Sequence, residues 1–291
     1  MKARIALLLG WLAGATAGAV ELPRGGTVTS GAAGIGGAGN TVNIDQSSDR
    51  AAIRWDSFNI GAGGVVNFHQ PGAGSLTLNR VLDLNGSKIF GQLNANGRVF
   101  ILNPNGVLFG PGARVNVGGL AASTKDLADG DFLAGDYRFT GGGSGEVVNQ
   151  GILTASPGGF IALIGNRTVA NYGTINAELG TAALAAGQTV RLNLTGDGLA
   201  GVEVDGGTLQ AMVANRGAVM ADGGRVYLTA KAADALVDTV VSNTGLIQAR
   251  TLENRNGEIW LLGGQGENEG GTVEAAGRLD AGAPAGGDGG F

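Results

Sequence analysis

Apolar positions along this chain fall in short runs bounded by glycine and asparagine, without the three-to-four spacing of an amphipathic helix. Four runs share one frame. They are Val147-Val148-Asn149-Gln150-Gly151-Ile152-Leu153, Val169-Ala170-Asn171-Tyr172-Gly173-Thr174-Ile175, Val213-Ala214-Asn215-Arg216-Gly217-Ala218-Val219 and Val241-Ser242-Asn243-Thr244-Gly245-Leu246-Ile247. Asn149 and Asn171 are 22 residues apart, Asn171 and Asn215 are 44 apart, and Asn193 stands at the midpoint. The last step, to Asn243, is 28, which implies about six inserted residues within 232–240. After each frame a glycine leads into a second apolar run, as in Gly159-Phe160-Ile161-Ala162-Leu163 and Gly224-Arg225-Val226-Tyr227-Leu228.

One repeat therefore reads strand, turn, strand, turn over about 22 residues, which is one rung of a β-solenoid. A rung alone cannot bury its inward side chains. Stacked at about 4.8 Å on its neighbour, it pairs its backbone and closes a continuous core. On this reading Asn149, Asn171, Asn193, Asn215 and Asn243 stack in a ladder of side-chain amides. The plainer alternative is ordinary turn formation by Asn-Gly sequences at positive φ. The unit 191–212 is the weakest copy, with Thr195 where the others have glycine, and it reads as a distorted rung or a hairpin leaving the solenoid. About 12 such rungs would make a rod on the order of 55–60 Å long. Short helices are expected only near Ser123–Ala128, behind a Ser or Thr cap, and over Thr229–Ala235.

Composition strengthens this picture. Glycine makes up 57 of 291 residues, far above the usual ~7%, while 43% of the chain is hydrophobic. That combination means many tight turns between short strands and is not a disordered composition. The first residues set the compartment. Met1-Lys2-Ala3-Arg4, the apolar run Ile5–Ala13 and Ala17-Gly18-Ala19 have the layout of a secretory signal peptide. The apolar stretch is short for a membrane-spanning helix. The mature chain would start near Val20. Its 17 basic residues (19 minus Lys2 and Arg4) face 24 acidic ones, with no basic block, which argues against nucleic acid as a partner. There is no cysteine, so the exported chain must rely on its core, and no crosslink can form before export.

Residues 51–124 are less repetitive and more distinctive. In order they carry Trp55, Phe58-Asn59-Ile60-Gly61, Phe68-His69-Gln70-Pro71, Leu78-Asn79-Arg80-Val81, Asn96-Gly97-Arg98-Val99-Phe100, Asn103-Pro104-Asn105-Gly106 and Ala122-Ser123-Thr124. As an ordered set these resemble the amino-terminal haemagglutination-activity, or two-partner-secretion, domain of filamentous-haemagglutinin-type exoproteins. The resemblance spans about residues 22–275. It implies a right-handed parallel β-helix with an amino-terminal cap and small extra-helical hairpins. It also implies export into the periplasm, then recognition by an outer-membrane β-barrel transporter through that transporter's periplasmic domains, and folding outside the cell.

Asn103, Pro104, Asn105 and Gly106 match the family's secretion motif. The family's second motif, Asn-Pro-Asn-Leu, is absent, which places the chain nearer the high-molecular-weight adhesin branch. Trp55, Phe58, Phe68, Asn79, Arg80 and Gly97 match structural family positions. The residues themselves say first that the motif is a turn: proline fixes one φ, asparagines make side-chain turns, and glycine permits positive φ. The complete protein is expected to be an adhesin or haemagglutinin reaching host or neighbouring-cell receptors through a longer chain. A haemolysin or a contact-dependent toxin carrier are the alternatives within the family.

Parallel β-helices also host polysaccharide-active enzymes, and these need clustered carboxylates or a metal site. Here the densest acidic group, Asp126, Asp129, Asp131 and Asp136, reads as a solvated loop, and His69 is the only histidine. No catalytic residue, metal or cofactor is assigned. Gly34–Gly39 matches a dinucleotide fingerprint without a βαβ setting, so it carries nothing. Asn85, Asn166 and Asn193 stand in N-x-S/T sequons, which matter only where glycosylation machinery exists. The expected organisation is a signal peptide over 1–19, a cap over 20–57, the β-helix over 58–275 and a Gly/Ala-rich linker over 276–291. In that last stretch Gly289-Gly290-Phe291 repeats Gly158-Gly159-Phe160, as if further rungs began there.

Overall fold

The structure, a computed structural model, describes residues 20–196, 198–233, 239–252, 255–264, 271–284 and 289–290. The signal-peptide stretch 1–19 lies outside the described residues.

The chain winds as a parallel β-helix with three faces, in the right-handed sense that parallel crossovers take. The first face carries 41–46, 65–69, 92–95, 114–116, 152–154, 174–176, 218–220, 246–248 and 278–280, nine levels among the described residues. The second face carries 50–55, 76–81, 98–102, 119–123, 160–165, 181–186, 225–230 and 258–262. The third is a seven-stranded sheet from Ser87–Ile89 to Thr272–Ala275. Nine levels make a rod of about 40 Å, shorter than 12 rungs would give. The difference is the residues that leave the helix.

Stacking sorts side chains into columns. Val107, Val147, Val169, Val213 and Val241 sit over one another on the third face. Val66, Leu93, Val115, Leu153, Ile175, Val219 and Ile247 do so on the first. Both columns belong to one continuous interior core. Apolar burial in such a core, worth ~25 cal/mol per Å², is the main favourable contribution.

At the amino-terminal end, Thr27–Ser30 pairs antiparallel with Arg50–Trp55, and Ala33–Ala38 with Thr41–Gln46. The second members of both pairs are already rung strands. At the other end Arg278–Asp280, inside the stretch read as a linker, pairs in parallel with Leu246–Gln248. Phe291 lies outside the described residues.

Two helix expectations change, and of the two readings of the unit 191–212 the hairpin stands and the distorted rung does not. Thr189–Thr195 and Gly198–Asp205 form an antiparallel hairpin that leaves the solenoid. The only helix among the described residues is Asp129–Ala134, and its N-cap is Ala128 with no side-chain cap, so Ser123 and Thr124 do not start it. Ser123 instead ends the strand Arg114–Ser123. Thr229 and Ala230 belong to the strand Arg225–Ala230, because the second-face register carries through them. The rest of that expected helix falls partly on 234–238, outside the described residues.

The hairpin has a purpose in the packing. The outward side of the second face is apolar, with Leu78, Phe100, Ala121, Ala162 and Ala183 in one column. It forms a second core with Leu127, Phe132, Tyr137 and Phe139 from one excursion and Val190, Leu192 and Leu199 from the other. Tyr137–Phe139 joins the hairpin in a three-stranded antiparallel sheet. Thus two excursions distant in sequence cover one face together. The alanines beneath them leave room for that second layer, and Thr181–Ala186 is buried at every position.

Candidate functional site

The excursions 124–146 and 187–211 leave the helix at one corner, between the second and third faces. The Asn103–Gly106 turn sits at that corner between the loop 82–86 and the first of them. Gly106 donates its backbone N–H to the Asn103 carbonyl at 3.0 Å, closing the turn. Gly106 has φ +115°, a conformation that favours glycine. The Asn105 N–H donates to Asn103 Oδ1 at 2.9 Å, so the first asparagine makes the expected side-chain turn.

The Asn103 side chain is fully buried, and its Nδ2 donates to the Asn85 carbonyl at 3.1 Å and to Ser87 Oγ at 3.0 Å. Asn105 is exposed, but its Nδ2 donates to the Asp83 carbonyl at 2.8 Å. Both asparagines therefore bind the preceding loop, 82–86. On the other side, the Gly145 N–H donates to the Pro104 carbonyl at 3.1 Å, and Val107 to Glu146 at 2.9 Å. Pro104 is exposed. A cleft of about 250 Å³ adjoins the turn, lined by Lys88, Asn105, Leu108, Glu146 and Val148 among others.

The structural family positions are placed as follows. Trp55, Phe58 and Phe68 are buried in the interior core, with the Trp55 and Phe58 rings 5.5 Å apart at 75°. Trp55 Nε1 donates to Asn79 Oδ1 at 2.9 Å, and Asn79 Nδ2 donates to the Phe100 carbonyl at 3.1 Å. Asn79 thus satisfies the indole within the core and ties three successive rungs. Arg80 points outward and pairs with Asp126 at 3.0 Å and Asp129 at 2.7 Å. It also donates to the Leu127 carbonyl at 2.6 Å, pinning the start of the helix. Burial pulls the Arg80 pKa down, but the Asp129 and Asp126 carboxylates outweigh it, and the net shift is upward. The two acids are therefore anchors and not part of a free acidic loop. Gly97 donates its N–H to Gln70 Oε1 at 2.9 Å, and a Cβ there would meet the Ser75 carbonyl at 2.7 Å. Only glycine fits that approach.

Asn149, Asn171, Asn215 and Asn243 form a buried ladder. Each Nδ2 donates to the next Oδ1, at 2.8, 2.8 and 2.7 Å. The ladder begins above Phe109 and stops below Ala275. Asn193 is not in it. It lies on the hairpin and donates to Glu203 Oε1 at 2.8 Å, because its strand has left the solenoid. The glycines that follow, Gly173, Gly217 and Gly245, are not at positive φ. They are required because a Cβ on each would run into the carbonyl of the glycine one level below.

Sequence reasoning missed three features. Lys125 is fully buried, and its Nζ donates to Gly141 O at 2.7 Å, Gln188 O at 2.9 Å and Asn166 Oδ1 at 3.1 Å. Three donors meet three acceptors from both excursions and the tight corner between them. Burial pushes its pKa down to about 8. Its only sequence signal was its place directly after Ala122-Ser123-Thr124. Gln70 donates Nε2 to Thr77 Oγ1 at 3.0 Å and Arg98 O at 2.9 Å, bracketing two rungs. Asn43, Asn67, Asn94 and Asn116 form a second, outward ladder at 3.0, 3.0 and 3.3 Å. Their unequal sequence spacing hid it from any periodicity. Among the described residues, no group of three or more His, Cys, Asp or Glu could hold a metal. His69 pairs with Asp45 at 2.7 Å on the exposed surface.

The family model described as the TPS secretion domain matches residues 19–275. Two relatives, each named a heme/hemopexin-binding protein, come from Haemophilus influenzae. One, from strain ATCC 51907 / DSM 11121 / KW20 / Rd, is 36% identical over 266 residues, covering 88% of this chain and 29% of its own. The other is 35% identical over 241 residues, covering 76% of this chain and 26% of its own. The chain therefore spans less than a third of the length of these relatives. The crystal structure of the HMW1 secretion domain from Haemophilus influenzae superimposes with a TM-score of 0.75 at 28% identity. It covers 89% of this chain and 65% of that one.

Proposed function

The chain belongs to the TPS secretion domain family, and from that premise we propose that it is the segment by which an outer-membrane β-barrel transporter recognises and exports a longer exoprotein. The observation that carries this reading is the family match over 19–275. TPS secretion domains lead secreted exoproteins through the periplasm to the cell surface or beyond. The family is one of secretion domains and not of enzymes.

Within this reading, 1–19 is the signal peptide that delivers the chain to the periplasm, and Thr27–Ser30 with Ala33–Ala38 cap the amino-terminal end of the β-helix, a shorter cap than 20–57 because 41–46 and 50–55 are already rung strands. The Asn103–Gly106 turn is the secretion motif, and it acts by shaping the corner of the export surface. The outer membrane has no nucleotide supply and no proton gradient, so stability gained by folding outside the cell is one available drive. Each rung added to a solenoid gains nearest-neighbour energy. The stacked asparagines and the Trp55–Asn79 pair make early rungs into a template for later ones.

The test is secretion with the transporter co-expressed. Asn103→Ala with Asn105→Ala is expected to leave the chain in the periplasm. Normal release of that variant into the medium would refute the role given to the turn.

The activity of the complete protein is read more coarsely. An adhesin or haemagglutinin is the first reading. Capture of haem or a haem carrier is the second, favoured by the names of the two relatives. Binding of haemin and haemopexin to the full-length secreted protein separates the two.

A further inference from the structure

The chain holds four Asn-Gly steps, at 85–86, 96–97, 105–106 and 256–257. Such a step carries its own chemistry, because no Cβ shields the glycine nitrogen. That nitrogen can lose its proton and attack the asparagine side-chain carbon. A bond forms from the glycine nitrogen to Cγ, the Cγ–Nδ2 bond breaks, and the side-chain nitrogen leaves as ammonia with that proton. Water then opens the cyclic imide. Opening at one carbonyl gives aspartate, and at the other isoaspartate, in which the main chain runs through the side-chain carbon. The sum is one water taken up and one ammonia released. The attack needs a glycine N–H without a partner and an asparagine side chain free to swing onto it.

The fold closes two of the four steps. The Gly97 N–H donates to Gln70 Oε1 at 2.9 Å. The Asn96 side chain is held at both ends, accepting from the Gln70 N–H at 2.7 Å and donating to the Gln70 carbonyl at 2.7 Å. The Gly106 N–H donates to the Asn103 carbonyl at 3.0 Å, and Asn105 Nδ2 donates to the Asp83 carbonyl at 2.8 Å. The other two steps stay open. Among the described residues neither the Gly86 N–H nor the Gly257 N–H has a partner, and Asn85 and Asn256 are both exposed. The Asn256 side chain makes no hydrogen bond among the described residues. Asn85 Nδ2 makes one, to Asp83 Oδ1 at 3.1 Å, on the surface where water competes for it.

We propose that Asn85 and Asn256 are sites of intramolecular deamidation in the folded chain, and that the fold shields Asn96 and Asn105. The two conversions differ in effect. At Asn85 a new carboxylate faces Asp83 Oδ1, which until then accepted from the amide. Isoaspartate there also lengthens the main chain and shifts the Asn85 carbonyl that the buried Asn103 Nδ2 holds. The loop 82–86 therefore loosens from the motif turn. At Asn256 the new carboxylate joins a cleft of about 430 Å³ that Arg225 and Arg255 also line, so positive charge meets it.

The experiment incubates the purified full chain at mildly alkaline pH, folded in buffer and unfolded in urea, and maps each site by peptide mass and isoaspartate content. In urea all four steps are expected to convert at similar rates, because their local chemistry is the same. In the folded chain Asn85 and Asn256 are expected to convert, with Asn96 and Asn105 about tenfold slower or more, since each must first open locally. Conversion at Asn85 is expected to speed hydrogen exchange across 82–86 several-fold. Asn85→Gln, whose longer side chain closes a ring less readily, is expected to keep that loop as slow as in the fresh wild type. Gln70→Ala frees the Gly97 N–H and the Asn96 side chain, and is expected to bring conversion at Asn96 up to that at Asn85.

The shielding is overturned if Asn96 or Asn105 converts within twofold of Asn85 in the folded wild type. The assignment of sites is overturned if either Asn85 or Asn256 stays intact in the folded chain over the time in which it converts in urea. Absence of conversion in urea removes the chemistry itself, and the proposal with it. No transporter takes part in these measurements, so their outcome is separate from that of the secretion test.

Discussion

Asn171 and Asn193 are the same residue type at the same sequence interval, and they do different work. Asn171 is buried, accepts from Asn149 and donates to Asn215. Asn193 bonds to Glu203 on the exposed hairpin. Removing Asn171 takes the donor from Asn215 Oδ1 and leaves Asn149 Nδ2 only its 3.4 Å contacts to the Gly151 and Thr174 carbonyls. Asn171→Ala is expected to cost about 2–4 kcal/mol in urea unfolding, and Asn193→Ala less than about 0.5 kcal/mol. Lys125 adds a dependence on pH. Its pKa is about 8 in the fold and 10.5 as a free side chain. Between those values the unfolded chain holds the extra proton, so this residue's contribution to stability rises with pH from about 8 and levels off above 10.5. The stability difference between wild type and Lys125→Met, followed by denaturant midpoint, is expected to grow over that window in the wild type's favour. A flat difference would mean that the amine is not desolvated.

The excursions are the elements with most independence. The helix Asp129–Ala134 has six residues and cannot stand alone. Phe132 anchors it in the outer core, and Arg80 pins its start. The Arg80 partners are half exposed, so solvent screens much of each pair. Arg80→Ala is expected to cost about 1–2 kcal/mol and to speed proteolysis within 126–136, with the rungs still protected. The hairpin is a larger test. Replacing 188–207 by a short glycine linker uncovers Phe160, Ala183 and Ala185. The far-ultraviolet β signal is expected to persist, while binding of an apolar dye rises several-fold.

At the scale of the molecule, stability is distributed along the axis. A middle rung has neighbours above and below, whereas Thr272–Ala275 is exposed at every position. In a stack governed by nearest-neighbour terms, ends open before the middle. Hydrogen exchange is expected to be slowest in Ile152–Gly165, which pairs on both sides. It is expected to be fastest in Thr272–Ala275 and Arg278–Asp280. Uniform exchange along the rod would show that it unfolds as one unit instead.

The repeat was legible in the sequence because one rung must look like the next. Stacking at a fixed spacing puts valine over valine and Asn149 over Asn171, and such constraints leave a period. The ordered motifs from Trp55 to Thr124 gave the family, and the buried aromatics and the turn at Asn103–Gly106 stand as their residue types required. The sequence by itself thus determined a glycine-cornered β-solenoid built for export. Tertiary structure decided between the two readings that the sequence left open for 191–212, a distorted rung and a hairpin that leaves the stack. A 22-residue hairpin and a 22-residue rung have the same length, and Asn193 fell on the period by coincidence. Only the apolar outer surface of the second face, invisible until the rungs are stacked, calls for a covering layer. Likewise Lys125 gains its meaning from three carbonyl oxygens that the chain supplies at 141, 166 and 188. Those residues are brought together by winding, not by any local pattern.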